Sequence, residues 1–131
     1  MTELHQVTAE LGEVGRLNER LGELWCEREL PPEHEFHATL ALEELLSNAI
    51  RHSGATDLAV RFTFEPSAFE FEVTDNGREF NPLTVPPLDA ASPLEARRSG
   101  GMGVHLVRQF ADELRYEYRD GRNSLVFRKQ W

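Results

Sequence analysis

Apolar residues recur with two different periods along the chain, and these periods predict its secondary structure. Spacing typical of amphipathic helices predicts three helices, over residues 10–29, 33–52 and 103–112. Alternation of apolar and polar residues predicts four strands, over residues 57–65, 68–75, 114–119 and 124–129. Turn residues separate the strands within each pair, at Pro66-Ser67 and at Asp120-Gly121-Arg122-Asn123. The strands are therefore expected to form two antiparallel hairpins.

The predicted order is helix, helix, hairpin, loop, helix, hairpin. Sheets made of hairpins and covered by helices on one face form a two-layer sandwich of the α+β class. The chain has 131 residues, which is the size of one ordinary domain, and it contains no repeat or linker. We therefore expect one domain over residues 1–131, with a mostly antiparallel sheet.

Charge and composition narrow the classes of function. The formal net charge is −9, and residues 1–50 carry three basic against eleven acidic side chains. Such a surface is unsuited to nucleic acid, because phosphate contacts require clustered cations. We see neither an apolar stretch of membrane-spanning length nor a signal peptide, and the single cysteine, Cys26, excludes an internal disulfide. These features predict a cytoplasmic protein that contacts neither nucleic acid nor a membrane.

Three polar residues follow one another on the second predicted helix. Glu44, Asn48 and Arg51 are spaced by about one turn, opposite the arc of leucines. A carboxylate can orient or deprotonate a hydroxyl, and an amide oxygen is a hard ligand for Mg²⁺. The row is thus a candidate site for a metal–phosphate group. The alternative interpretation is a solvated helix face with a Glu–Arg pair.

The strand over residues 68–75 ends on a carboxylate of the apolar parity. Phe69, Phe71 and Val73 share that parity, so Asp75 is expected to be directed toward the core. A buried carboxylate requires hydrogen-bond donors. They can come from the turn that follows, Asn76-Gly77, or from a ligand amine such as the exocyclic amine of adenine.

A glycine-rich sequence begins the third predicted helix. Gly100, Gly101 and Gly103 permit close backbone approach, and the free N–H groups of a helix N-terminus favour an anion. Arg97 and Arg98 precede them and can add charge-assisted contacts to phosphate. The long segment 76–99 has glycine at each end, which is typical of a loop that closes over a ligand. A simple flexible hinge is the alternative.

Together these stretches resemble the ATPase superfamily shared by gyrases, histidine kinases and the DNA-repair and chaperone ATPases. Glu44-Leu-Leu-Ser-Asn48 resembles its asparagine box, Asp75-Asn-Gly77-Arg-Glu-Phe80 its first glycine box, and Gly100-Gly101-Met-Gly103 its second. The resemblance implies the two-layer fold of the histidine-kinase-like (Bergerat) ATPases, with residues 76–99 as the ATP lid.

The details are most similar to the bacterial anti-sigma-factor serine/threonine kinases. They are Glu44-x-x-x-Asn48-Ala-Ile-Arg51-His52, Asp75-x-Gly77-x-x-Phe80-Asn-Pro82, Gly100-Gly101-Met-Gly103-Val104-His-Leu-Val107 and Asn123-Ser124-Leu-Val-Phe-Arg-Lys129. The match extends over nearly the whole chain and is weakest over residues 1–30.

The resemblance implies a role for each matched residue. Glu44 would be the base that activates the acceptor hydroxyl, and Asn48 would bind Mg²⁺. Asp75 would recognise adenine, with Gly77 giving it room, and Ser124 would lie near the base. The remaining positions of the nucleotide site implied by the motifs are Arg51, Phe80, Arg97, Gly100, Gly101, Gly103 and Val104.

The resemblance also implies an activity and partners. The family transfers the γ-phosphoryl group of ATP, with Mg²⁺, to a serine of an anti-anti-sigma partner of the STAS fold. The family also sequesters a sigma factor. The resemblance further implies a homodimer. An alternative function is a non-catalytic ATP-binding module that sequesters a regulatory protein. Such a module needs no base, so the presence of both Glu44 and Asn48 favours the kinase.

Overall fold

The computed structural model describes residues 1–84 and 102–131. The elements, in chain order, are β1 (Thr2–Val7), α1 (Gly12–Glu27), α2 (Pro32–His52), β2 (Leu58–Glu65), β3 (Ala68–Asp75), α3 (Met102–Phe110), β4 (Glu113–Arg119) and β5 (Arg122–Gln130). The predicted α+β class is confirmed, and every predicted helix and strand is present within a few residues of its expected bounds. None of the helices in the described ranges is long and apolar enough to cross a membrane.

The five strands form one antiparallel sheet in the order β1-β2-β3-β5-β4. Both predicted hairpins are present, β2 with β3 and β4 with β5. Asp120 and Gly121 form the two-residue turn of the second hairpin, both with positive φ, as the turns that match strand twist require. The two hairpins join through β3 and β5, whose register places Asp75 opposite Asn123.

The helices cover one face of the sheet, and the core lies between the two layers. Alternate residues of the central strands enter it, so that the rings of Phe71 and Phe127 stack with their centroids 5.1 Å apart. From the helices, Leu17 and Leu21 of α1 and Leu45 of α2 are fully buried. Burying each such side chain stabilises the fold by roughly 1.5–3 kcal/mol. Helix α2 packs against both α1 and α3 and is the central helix of its layer.

Strand β1 is absent from the sequence prediction, and its residues show why. The positions directed toward the helices hold Glu3, His5 and Val7, and Leu4 is directed away from them and is 54% exposed. This pattern is the reverse of the alternation that identifies a half-buried strand. Pairing with β2 and the ion pair of Glu3 with Arg20 of α1 hold the strand in place.

Candidate functional site

Asp75 ends β3 inside the protein, as its parity predicts. It is only 3% exposed. Its Oδ1 atom accepts hydrogen bonds from the Gly77 backbone N–H (2.8 Å) and from Asn123 Nδ2 (2.9 Å). Within the described residues Oδ2 accepts none, so the carboxylate retains a free acceptor for a further donor. The turn after β3 therefore supplies one hydrogen-bond donor to Asp75, through Gly77, and the neighbouring strand supplies a second, through Asn123.

Asn123 of β5 links Asp75 by hydrogen bonds to the turn after β3 and to Tyr116 of β4, a role that the sequence does not predict. Its Nδ2 also donates to the Arg78 carbonyl (2.7 Å), and its Oδ1 accepts from the Phe80 N–H (3.1 Å) and the Tyr116 hydroxyl (2.5 Å). Burial raises the pKa of the Tyr116 hydroxyl, which keeps it a donor. The sequence predicts Asn123 only as a residue of the hairpin turn. Its position opposite Asp75 depends on the register between β3 and β5, which is a long-range property.

Gly77 lets the turn after β3 lie directly on the C-terminal end of α2. A β-carbon at this position would lie 2.7 Å from Ser53 Cβ and closer still to the Ser53 carbonyl oxygen. Arg78 secures the contact, because its N–H donates to Ser53 O (2.9 Å) and its Nε to His52 O (2.7 Å). The Phe80 ring lies 5.1 Å from the His52 ring. The turn that follows Asp75 is thereby fixed to the helix that carries Glu44 and Asn48.

Asn48 is buried, which excludes the solvated-face interpretation for this residue. It is 3% exposed, and its Nδ2 has no hydrogen-bond partner in the described part of the chain. A buried amide left unpaired costs about 1–3 kcal/mol, so such a group is expected to have a ligand. Arg51, one turn further along α2, is exposed.

Glu44 is half-buried beside the N-terminal end of α3. A β-carbon on Gly103 would lie 2.5 Å from Glu44 Cγ, so the glycine leaves the space that the carboxylate occupies. Burial raises the pKa of Glu44, Glu43 raises it further, and Arg51 opposes the shift. A carboxylate with a raised pKa, next to a helix N-terminus, is a candidate general base.

Several predicted site residues lie elsewhere. The Ser124 hydroxyl donates to Glu72 (2.9 Å) on the face of the sheet opposite the helices, so it is not directed toward Asp75. Strand alternation explains this, because Asn123 occupies the inward position. Val104 is 2% exposed and packs in the core. Arg97, Gly100, Gly101 and the predicted lid beyond Thr84 lie outside the described residues.

The donor set fits a magnesium-bound nucleotide. Amide and carboxylate oxygens are hard ligands, and rotation of the Asn48 amide exchanges its nitrogen and oxygen. No cluster of three or more His, Cys, Asp or Glu in residues 1–84 and 102–131 is arranged to hold a metal by itself. Magnesium typically takes one or two protein ligands and completes its coordination with phosphate oxygens and water. Asp75, with its free acceptor, suits an amine of a base.

The sheet, its helical layer and the Asp75–Gly77 turn define the class of protein. A family model described as "Histidine kinase-like ATPase domain" matches residues 7–129. The chain belongs to this family, which confirms the family expected from the three motifs. The fold expected from them is confirmed as well.

Particular relatives are kinases by name. The serine/threonine-protein kinase BtrW of Bordetella bronchiseptica is 33% identical over 97 residues, which are 70% of this chain and 67% of that protein. The serine-protein kinase RsbW of Listeria monocytogenes serovar 1/2a is 28% identical over 90 residues, 63% of this chain and 57% of that protein. The match to RsbW thus spans less than two thirds of that relative's length.

A solved structure has the same fold. The crystal structure of the RsbU and RsbW domains of Rv1364c from Mycobacterium tuberculosis superposes with a TM-score of 0.68 at 16% identity. The superposition covers 98% of this chain and 32% of that one. At this identity the likeness concerns the fold.

Proposed function

We propose that the chain binds ATP with Mg²⁺ and transfers the γ-phosphoryl group to a serine hydroxyl of a protein partner, an anti-anti-sigma protein of the STAS type. One observation carries the proposal. Glu44 and Asn48 lie one turn apart on α2. Glu44 lies against Gly103, and Asn48 is buried with an amide nitrogen that has no hydrogen-bond partner within residues 1–84 and 102–131. The names of the relatives BtrW and RsbW support the same activity.

Each residue has a distinct part in this activity. Asp75, held by Asn123 and the Gly77 N–H, accepts a hydrogen bond from the amine of adenine. Asn48 offers an amide oxygen to Mg²⁺, which when bound neutralises charge on the phosphates. Glu44 orients the serine hydroxyl and takes its proton, and its raised pKa brings it nearer to neutral pH. Phosphoryl transfer depends mainly on positioning and charge neutralisation, so this small set suffices.

Nucleotide binding is tested by thermal unfolding with and without Mg·ADP. At 100 times its dissociation constant a ligand stabilises the native state by about 2.7 kcal/mol, so the unfolding midpoint is expected to rise. Asn48→Ala is expected to remove most of this rise. An unchanged midpoint of the unaltered protein at millimolar Mg·ADP would contradict the proposed site.

Phosphoryl transfer is tested with Glu44→Gln, which keeps the shape of the side chain and removes the base. Transfer from labelled ATP to a STAS-type partner is expected to fall by about 10²–10⁴-fold, with the Mg·ADP midpoint shift retained. Glu19→Gln, exposed on α1, is the matched control. If partner regulation survives Glu44→Gln intact, the chain acts as a non-catalytic ATP-binding module.

A further inference from the structure

An apolar strip lies on the outer surface where α2 meets α3. Phe36 is 65% exposed and Leu106 is 40% exposed, and Leu40 and Phe110 are half-buried beside them. We name these four residues the α2–α3 strip. Single exposed apolar side chains are common on proteins, but four apolar side chains along two packed helices next to a candidate site indicate an interaction surface.

Two contacts fix the relative direction of the two helices. The His37 ring stacks on Phe110 with centroids 4.3 Å apart, and Gly103 lies against Glu44. His37 contacts Phe110 and Glu44 contacts Gly103, so α2 and α3 run antiparallel. Helical spacing then places Phe36 and Leu40 on the solvent side of this line, facing Leu106 across it.

The strip leads to the candidate base. From Phe36 to Glu44 is eight residues of helix, or about 12 Å at the helical rise. When a partner protein brings a serine hydroxyl to Glu44, the partner residues that surround this serine lie within about 12 Å of Glu44. Its surface around the serine is therefore within reach of the strip.

The charges beside the strip specify the partner further. Glu33 and Glu43 are exposed on the same side of α2 as Phe36. Arg108 of α3 is turned away, since its guanidinium donates to the Leu83 carbonyl. Among the described residues, the part of the rim beside Phe36 is thus acidic and complements a basic surface, whereas Arg51 is exposed at the Glu44 end of α2.

We propose that the α2–α3 strip is the docking surface for the protein that carries the acceptor serine, and that this partner presents apolar side chains framed by arginine or lysine next to that serine. The inference rests on the proposed kinase function and adds the place and chemistry of partner recognition. Docking there aligns the hydroxyl with Glu44 without involving the nucleotide pocket at Asp75.

The test measures affinity for purified STAS-domain proteins of the same genome, by calorimetry in Mg·ADP. Phe36→Ser and Leu106→Ser are each expected to weaken binding about tenfold or more. Glu43→Gln is expected to weaken it a few-fold and to reduce its salt dependence. Leu4→Ser and Glu117→Gln, on the sheet face opposite the helices, are the matched controls and are expected to bind normally.

Two further readouts separate docking from the proposed activity. The Mg·ADP midpoint shift and the transfer rate at saturating partner are expected to be unchanged in Phe36→Ser. Unchanged partner affinity in both strip variants, with the midpoint shift intact, overturns the docking surface and leaves the kinase proposal standing. If Mg·ADP does not raise the unfolding midpoint of the unaltered protein, the kinase proposal itself is overturned.

The remaining outcomes are also decisive. If Phe36→Ser converts a dimer into a monomer in sedimentation, the strip is an interface between copies of this chain and the docking proposal is wrong. If no STAS-domain protein binds the unaltered chain, the proposed partner and its docking surface are both overturned.

Discussion

At the scale of single residues, the candidate site depends on buried polar groups held by others. Asp75 has two donors on one oxygen, and Asn123, the source of one, is itself bonded by Phe80 and Tyr116. Such a network fixes the carboxylate through Oδ1, and within the described residues it leaves Oδ2 able to accept a further hydrogen bond. The unused oxygen Oδ2 is the part of the network that we assign to adenine.

Asp75→Asn tests this assignment. Asparagine can still accept from Gly77 and Asn123, so the fold is expected to remain, but it loses the charged acceptor for the amine of the base. Removing a hydrogen bond to a charged group costs about 1.5–3 kcal/mol, so affinity for Mg·ADP is expected to fall at least tenfold in calorimetry. Glu72→Gln, on the opposite face of the same strand, is the control. Unchanged affinity in Asp75→Asn would refute the adenine role.

Gly77→Ala tests the contact between the turn and α2. The added methyl group would overlap the Ser53 backbone, so the turn has to shift, at an expected cost of about 1–3 kcal/mol in the free energy of unfolding. Mg·ADP binding is expected to weaken as well. Gly15→Ala is the matched control, because nothing lies within 4 Å of its added carbon. In a helix that change is expected to stabilise by up to about 1 kcal/mol. Equal stability of the two variants would contradict the close approach.

At the scale of elements, the sequence predicted what local periodicity encodes and missed what long-range pairing encodes. The three helices and two hairpins follow from apolar spacing and turn residues, and the inward direction of Asp75 follows from strand parity. Strand β1 was missed because its inward positions hold Glu3 and His5. Only the pairing of β3 with β5 shows that Asn123 lies opposite Asp75, so the sequence could not predict this contact. Short motifs identified Glu44 and Asn48, whereas the burial of Asn48 required the packing of α2.

Strand β1 provides a prediction about acid stability. Arg20 bonds Glu3, and with a smaller contribution from His5 it holds the pKa of Glu3 at about 2, below the ordinary 4.5. A lowered carboxyl pKa contributes stability that is complete above pH 4.5 and is lost as the pH falls toward 2. Glu3→Gln is therefore expected to lower the free energy of unfolding by about 1 kcal/mol at pH 7.

The difference between Glu3→Gln and the unaltered protein is expected to shrink as the pH falls below 4.5, in denaturant titrations repeated from pH 7 to 3. Glu19→Gln, exposed on α1, is the control for general charge effects. A difference that does not change with pH would mean that the ion pair does not anchor β1.

At the scale of the whole molecule, charge and site are arranged around α2. Residues 1–50 carry most of the net charge of −9, and α2, the last element of that segment, holds both Glu44 and the acidic rim of the α2–α3 strip. The opposite face of the sheet carries paired charges instead, such as Arg61 with Glu72. The helical layer is therefore the side on which we expect a basic partner, and the expected homodimer stays a prediction.

The two tryptophans and Tyr116 lie near opposite ends of strand β3. The Trp131 backbone N–H donates to the Ser67 carbonyl just before β3, and the Trp131 ring lies 5.7 Å from the Trp25 ring. The Tyr116 hydroxyl donates to Asn123 Oδ1 near the other end of β3. Seven residues of strand, about 23 Å, separate Ala68 from Asp75. If Asp75 binds a nucleotide as proposed, we expect indole emission to follow global unfolding and not binding, and we expect the phenol resonances of Tyr116 to shift on binding. One unlabelled sample thus carries two independent spectroscopic reporters.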